Sequence, residues 1–182
     1  MNSYDTMPDN LPRPVDDGTC DHLIGTKLPN IDLVATNGTL VNLSVQSRKT
    51  VIYCYPMTGK PGVLLPDGWD EIPGARGCTP QSCSFRDHHA ELSALGAEVF
   101  GLTTQNTEYQ KEMAERLHLP FLVLSDTDFK FSEVVRLPTF EVNGMRFLKR
   151  LTMIADNDEV VSVHYPVFPS DSDAAWVIEQ LS

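Results

Sequence analysis

The run Thr50-Val51-Ile52-Tyr53-Cys54-Tyr55, stopped by Pro56, limits the fold more than any other stretch of the chain. It is built of strand formers, and apolar side chains occupy both of its faces. A strand that is apolar on both sides must be covered on both sides, as a central strand in a sheet sandwiched between helices is. Cys54 then points into a core, as a small hydrophobe rather than a chemical group. The segments around it fit a layered α/β chain. Residues 31–35 and 39–43 flank Asn37-Gly38, a strong hairpin signal. Residues 79–95 carry a helical pattern, with Phe85, His89 and Leu92 on one face, Pro80 in the first turn and Gly96 at the end.

Beyond that helix the alternation continues. A strand is expected over 98–102, and Thr107-Glu108-Tyr109-Gln110 reads as a capping box opening a helix to about residue 117. A strand over 121–124 and a short helix over 128–136 follow. Residues 147–155 and 159–165 should form a hairpin across Asp156-Asn157-Asp158, and Ser172 should cap a last helix through Gln180. The order is a hairpin followed by β-α-β-α-β-α-β-β-α, which implies an α/β sandwich with some parallel strands. The closing β-β-α, with a cysteine pair after the first central strand, suggests a thioredoxin-like fold. It would carry an N-terminal β-hairpin extension and a central mixed sheet flanked by helices. Residues 1–22, rich in Asp, Asn and Pro, read as a flexible arm or a surface strap, with an exposed Cys20, ahead of one domain over 23–182. Residues 57–77 hold five Gly and three Pro and form a long loop. Val63-Leu64-Leu65 and Trp69 should fold it back onto the body.

A chain of 182 residues can bury a sizeable core, and a net charge of −11 argues against nucleic acid or an anionic membrane as partner. No apolar run reaches the roughly 20 residues that span a bilayer. Met1-Asn2-Ser3-Tyr4-Asp5 lacks the basic and apolar regions of a signal peptide, so a cytoplasmic location is expected. Four cysteines are too few for a disulfide scaffold.

Two of those cysteines stand five apart, in Cys78-Thr79-Pro80-Gln81-Ser82-Cys83 at the expected helix start. The unpaired N–H groups of a helix start favour thiolate, the reactive form of cysteine. Arg76 and Arg86 add positive charge nearby. The pair reads as an attacking Cys78 and a resolving Cys83, although two inert thiols would have the same spacing. If both are helical, their Cα atoms lie about 8–9 Å apart. A disulfide rarely forms beyond about 7 Å, so the bond would require local unwinding. Zinc binding by Cys78, Cys83, His88 and His89 is disfavoured, because the cysteine spacing is too wide and no second pair exists.

The assembled pieces resemble a peroxiredoxin, most closely the Q-type or bacterioferritin-comigratory-protein branch. They are residues 51–56, the run Gly77-Cys78-Thr79-Pro80-Gln81-Ser82-Cys83-Ser84-Phe85-Arg86-Asp87, Leu124-Ser125-Asp126, and residues 150–156 beginning Arg150-Leu151-Thr152. The resemblance runs from about Gly25 to Leu181. It implies a thiol-dependent peroxidase acting on hydrogen peroxide and organic hydroperoxides, with no metal or organic cofactor. Cys78 would be the peroxidatic and Cys83 the resolving cysteine, joined in an intramolecular disulfide that thioredoxin or a similar dithiol reduces. Arg150 would hold the peroxide and the thiolate. A monomer is favoured, with a homodimer as the alternative. The chain departs from the family at two places. Glu71 and Ala75 occupy the spacing of the usual Pro and Thr of Pro-x-x-x-Thr-x-x-Cys, leaving Pro56 and Thr58, across the loop, as the nearest substitutes. Gln81 replaces a common Glu. Two other classes remain: a thiol–disulfide oxidoreductase, whose usual Cys-x-x-Cys is missing, and a thioredoxin-like binding module with unused cysteines.

Overall fold

A computed structural model of the chain describes residues 4–182. Strands β1 (Asp32–Ala35), β2 (Leu40–Asn42), β3 (Lys49–Cys54), β4 (Ala97–Thr103), β5 (Leu122–Ser125), β8 (Leu151–Asp156) and β9 (Glu159–His164) form one sheet in the order β2-β1-β5-β4-β3-β8-β9. The neighbours β3, β4 and β5 are parallel, and β8 runs antiparallel to β3. Helices α1 (Cys78–Asp87), α2 (His89–Ala94), α3 (Thr107–Arg116), α4 (Lys130–Val135) and α5 (Asp173–Leu181) cover it. The hairpin β1-β2 turns at Asn37-Gly38 as expected and extends the sheet at β5.

The two apolar faces of β3 explain the layering. Ile52 and Cys54 enter one core with Cys20, Leu23, Phe100, Leu124, Phe131 of α4 and Met153. Val51, Tyr53 and Tyr55 enter a second core with Cys78, Phe85, Leu92, Met113, Val123 and Val177, and Cys83 packs on its margin. That second layer is built from α1, α2, α3 and α5. The fold is the thioredoxin-like α/β sandwich with mixed sheet that the segment order implies.

Several local expectations are corrected. The helix over 79–95 is two helices, broken at His88 (φ −101°, ψ 5°), whose Nδ1 lies 2.9 Å from the carbonyl of Ser84. The cap of α3 is Asn106, which accepts from the Tyr109 N–H at 2.8 Å, one residue before the capping box. Residues 147–155 are not one strand. β7 (Met145–Leu148) instead pairs with β6 (Thr139–Val142) as a separate hairpin, turning at Asn143-Gly144 with both residues at positive φ. The chain breaks at Lys149-Arg150 before β8 begins, and the break frees Arg150 from strand pairing. Cys20, expected exposed, is only 6% exposed.

The segment before β1 lies along the body. Asp17 receives Lys149 Nζ at 2.7 Å and the Tyr165 hydroxyl at 2.9 Å, and His22 Nε2 lies 3.0 Å from the Val135 carbonyl. In the long loop Trp69 is buried against Phe147, ring centroids 5.1 Å apart, as foreseen. Leu65 packs there too, but Leu64 is 92% exposed and Val63 half-exposed, so that part of the loop does not fold back. Among the described residues no helix is long and apolar enough to cross a membrane.

Candidate functional site

Cys78 is the first residue of α1, and its neighbours dictate that placement. Gly77 caps the helix at φ 116°, a conformation L side chains rarely adopt. A Cβ there would also lie 2.6 Å from Met7 Sδ. Pro80 costs nothing in a first turn, where N–H groups have no helical partner. The helix is fixed from below: Phe85 stacks on Tyr53 at 4.6 Å between centroids, Ser82 Oγ meets the Tyr53 hydroxyl at 3.0 Å, and Ser84 Oγ donates to the Asp171 carbonyl at 2.7 Å. The Cys78 side is sealed, with only 3% of the residue exposed.

Arg150, from the break ahead of β8, reaches the same point and is buried. Its Nη2 donates to Cys78 Sγ at 3.2 Å and to the Ala75 carbonyl at 3.0 Å. Its Nε donates to the Gly74 carbonyl at 3.2 Å, and its Nη1 to Gln81 Oε1 at 2.5 Å. The end of the long loop thus supplies backbone acceptors that hold the guanidinium against the sulfur. A charge-assisted donor in this position stabilises negative charge on sulfur far better than a neutral one.

The network continues to a buried carboxylate. A guanidinium only donates, so Gln81 must turn its oxygen to Arg150 and its amide nitrogen away. That nitrogen donates to Asp173 Oδ2 at 2.7 Å. Asp173 is fully buried at the start of α5. Its Oδ2 also accepts from Thr152 Oγ1 at 2.6 Å, and His164 Nδ1 lies 2.8 Å from its Oδ1. Trp176 stacks on His164 at 4.6 Å. Gln81 in place of Glu therefore moves the carboxylate one residue further from the arginine. Asp173 and His164 were not singled out from the sequence. Thr152 stands two residues beyond Arg150 in the run Arg150-Leu151-Thr152, which is the sequence signal that ties it to the site.

Thr58 is fully buried, its Oγ1 has no hydrogen-bond partner among the described residues, and its carbonyl accepts from the Tyr109 hydroxyl at 3.1 Å. Its neighbours Met57 and Gly59 line the same small cavity as Cys78. Thr79, also on that cavity, has a second buried hydroxyl without a partner among the described residues. The two arginines expected to charge the site are held by carboxylates: Arg76 lies 2.9 Å from Asp70, and Arg86 lies 2.8 Å from Asp87. Arg76 lines the same cavity as Cys78, but among the described residues Arg150 is the cation that touches the sulfur.

All four cysteines are free. Cys83 sits in α1, one and a half turns beyond Cys78. It is half-buried, and burial raises its thiol above the ordinary range despite Arg86. Burial pushes Cys20 up to about 12 and Cys54 well above its usual value, which keeps both as neutral thiols. His88 and His89 are half-buried, His88 against Ser84 and His89 with its ring 6.0 Å from Phe121. Among the described residues no three His, Cys, Asp or Glu side chains converge as a metal site.

The chain matches the Redoxin family model over residues 23–178. It is 27% identical over 165 residues to a putative peroxiredoxin bcp of Coxiella burnetii, covering 87% of this chain and 97% of that one. It is 31% identical over 142 residues to the chloroplastic peroxiredoxin Q of Sedum lineare, covering 78% of this chain and 67% of the relative. The crystal structure of peroxidoxin BcpB from Mycobacterium tuberculosis superposes with a TM-score of 0.70 at 25% identity, over 87% of this chain and 95% of that one. A helix-start cysteine held by a buried arginine on a thioredoxin-like sheet, and a family match across most of the length, lead to one conclusion: the chain belongs to the redoxin family, as a thiol peroxidase of the Bcp/Q branch of the peroxiredoxins.

Proposed function

We propose that Cys78 is the peroxidatic nucleophile, Cys83 the resolving thiol and Arg150 the donor that stabilises the reaction. The observation that carries this reading is the 3.2 Å contact from Arg150 Nη2 to Cys78 Sγ, made by a guanidinium otherwise bonded to Gly74, Ala75 and Gln81. Cys78 thiolate attacks one oxygen of the hydroperoxide. The S–O bond forms, the O–O bond breaks, and the departing oxygen takes a proton to leave as water or alcohol. Cys78 is oxidised to sulfenic acid, and the peroxide is reduced. Negative charge moves from sulfur onto the two oxygens, where Arg150, the N–H groups of the α1 start and the Thr58 hydroxyl can donate.

Cys83 then attacks the sulfenic sulfur, expelling water and forming the Cys78–Cys83 disulfide. An external dithiol, thioredoxin or a similar carrier, attacks that disulfide and leaves as its own disulfide, returning two thiols. The scheme needs the thiols of one chain only, since both lie on one helix; a monomer is favoured from the family resemblance, with a homodimer as the alternative. No metal or organic cofactor enters any step. Consumption of hydrogen peroxide by the reduced protein with thioredoxin tests the reading. Cys78→Ser should abolish it. Comparable turnover by that variant would remove Cys78 from the chemistry.

A further inference from the structure

Cys78 opens onto a cavity of only about 10 Å³, walled among others by Tyr4, Met57, Gly59, Trp69 and Thr79. That is room for about one water-sized group. A larger cavity of about 330 Å³ shares Arg150 and Gly74 with the site, but Cys78 does not line it. Tyr4 narrows the small cavity. Its ring lies flat against Gly59, where a Cβ would fall 2.6 and 2.7 Å from the two Cδ atoms. Its hydroxyl donates to the Val63 carbonyl at 2.6 Å, and the Arg76 guanidinium sits 5.3 Å from the ring centroid. Met7 follows on the same strap, with its sulfur 3.5 Å from Ser170 Oγ beside Gly77. Tyr4 and Met7 both lie outside the segment that matches the family model, residues 23–178.

We propose that Tyr4, seated on Gly59, is a specificity-determining residue that ranks hydroperoxides by size: hydrogen peroxide is admitted to Cys78, and hydroperoxides with a bulky organic group are held back. The inference rests on Cys78 being the reacting sulfur. Hydrogen peroxide is little larger than the water-sized group the cavity holds, and it enters with a small shift of the ring. A cumyl or long alkyl group cannot fit beside the sulfur while the ring stays. It must displace Tyr4 and so break the hydrogen bond to Val63 and the contact with Arg76. Gly59 is part of the same device, because only a residue without a side chain lets the ring lie so close.

The test is the second-order rate constant for loss of the Cys78 thiol in the full chain, with hydrogen peroxide and with cumene hydroperoxide. It is read as sulfenic acid trapped by dimedone in a Cys83→Ser background. Tyr4→Ala should raise the cumene constant on the order of 10-fold or more and move the hydrogen peroxide constant by less than about 3-fold, the scale on which pocket shape discriminates small groups. Gly59→Ala, which pushes the ring off without deleting it, should shift the ratio in the same direction. Tyr4→Phe, which keeps the ring, should retain most of the selectivity. A ratio unchanged in both Tyr4→Ala and Gly59→Ala overturns the proposal, as does an equal gain for both peroxides. Trapping of neither peroxide product in the Cys83→Ser parent itself would instead strike at the assignment of Cys78, a distinguishable failure.

Discussion

Joining Cys78 to Cys83 should unwind the start of α1, and the size of the effect can be worked from the contacts that hold it. Both residues are helical in the reduced chain. Helix geometry separates their Cα atoms by about 8–9 Å, beyond the roughly 7 Å that a disulfide tolerates. Closing the gap pulls residues 79–84 out of helix. Four side-chain hydrogen bonds then go: Gln81 to Asp173, Arg150 to Gln81, Ser82 with Tyr53, and Ser84 to the Asp171 carbonyl. At about 1 kcal/mol net for each of the two neutral bonds and about 2 for each of the two that involve Arg150 or Asp173, oxidation costs roughly 6 kcal/mol of local structure. For a two-electron couple, about 30 mV corresponds to 1.4 kcal/mol, so the disulfide should be roughly 130 mV more oxidising than an unstrained one. Hydrogen exchange on reduced and oxidised protein reads the unwinding, and titration against a thiol redox buffer reads the potential. Unchanged amide protection across residues 79–87, in protein whose Cys78–Cys83 bond has been verified by mass, would refute the argument.

Arg150→Ala should slow the first oxidation on the order of 100-fold, the usual loss for one preorganised donor, while Arg146→Ala, which removes an arginine bound to Glu133 on the surface, should leave it near wild type. Equal rate constants in stopped-flow mixing would mean the wrong arginine was assigned. Cys83→Ser should react once with peroxide and stall. Its sulfenic acid lacks a partner and should advance to sulfinic acid in excess oxidant, seen by intact mass. Cys20 is buried with its thiol pushed up to about 12, against about 8.5 for a free cysteine. The folded state holds that proton more tightly than the unfolded one. Its contribution to stability is therefore full below about pH 8.5 and is lost as pH rises toward the folded value. Denaturant midpoints should fall through that alkaline window for wild type and less steeply for Cys20→Ala. Parallel curves would show that Cys20 does not carry the effect. In native protein at pH 8, Cys20 should resist alkylation that unfolding permits.

Much of the layer order was legible because it rests on local chemistry. The two-faced apolar run of β3, the Asn37-Gly38 turn and the Gly-Cys-Thr-Pro start of α1 each act within a few residues. The misreadings are places where distant contacts decide. Nothing local distinguishes residues 147–155 from one long strand. What breaks it is the pairing of β7 with β6 across the Asn143-Gly144 turn, a contact made with residues that precede the run. Cys20 reads as exposed because its neighbours are polar, yet the chain carries it into a core built by β3, β5 and β8. The reach of Arg150 followed from the family resemblance rather than from periodicity. The carboxylate behind it, Asp173, could not be seen from its own surroundings, since Gln81, Thr152 and His164 come to it from three different elements.

The alternation of β3 divides the thiols as well as the cores. Cys54 faces one side of the sheet, where Cys20 also lies, while Tyr53 and Tyr55 face the other, with Cys78 and Cys83. The sheet thus acts as a bulkhead with two thiols in each compartment. Unwinding α1 can carry Cys83 to Cys78, but no local motion carries Cys54 through a hydrogen-bonded sheet. Selection of the correct partner needs no special reactivity in the compartment of Cys54, only an intact wall. A crossed pair such as Cys78–Cys54 would therefore record that the wall itself had opened, making scrambled disulfides a chemical marker of global unfolding rather than of turnover.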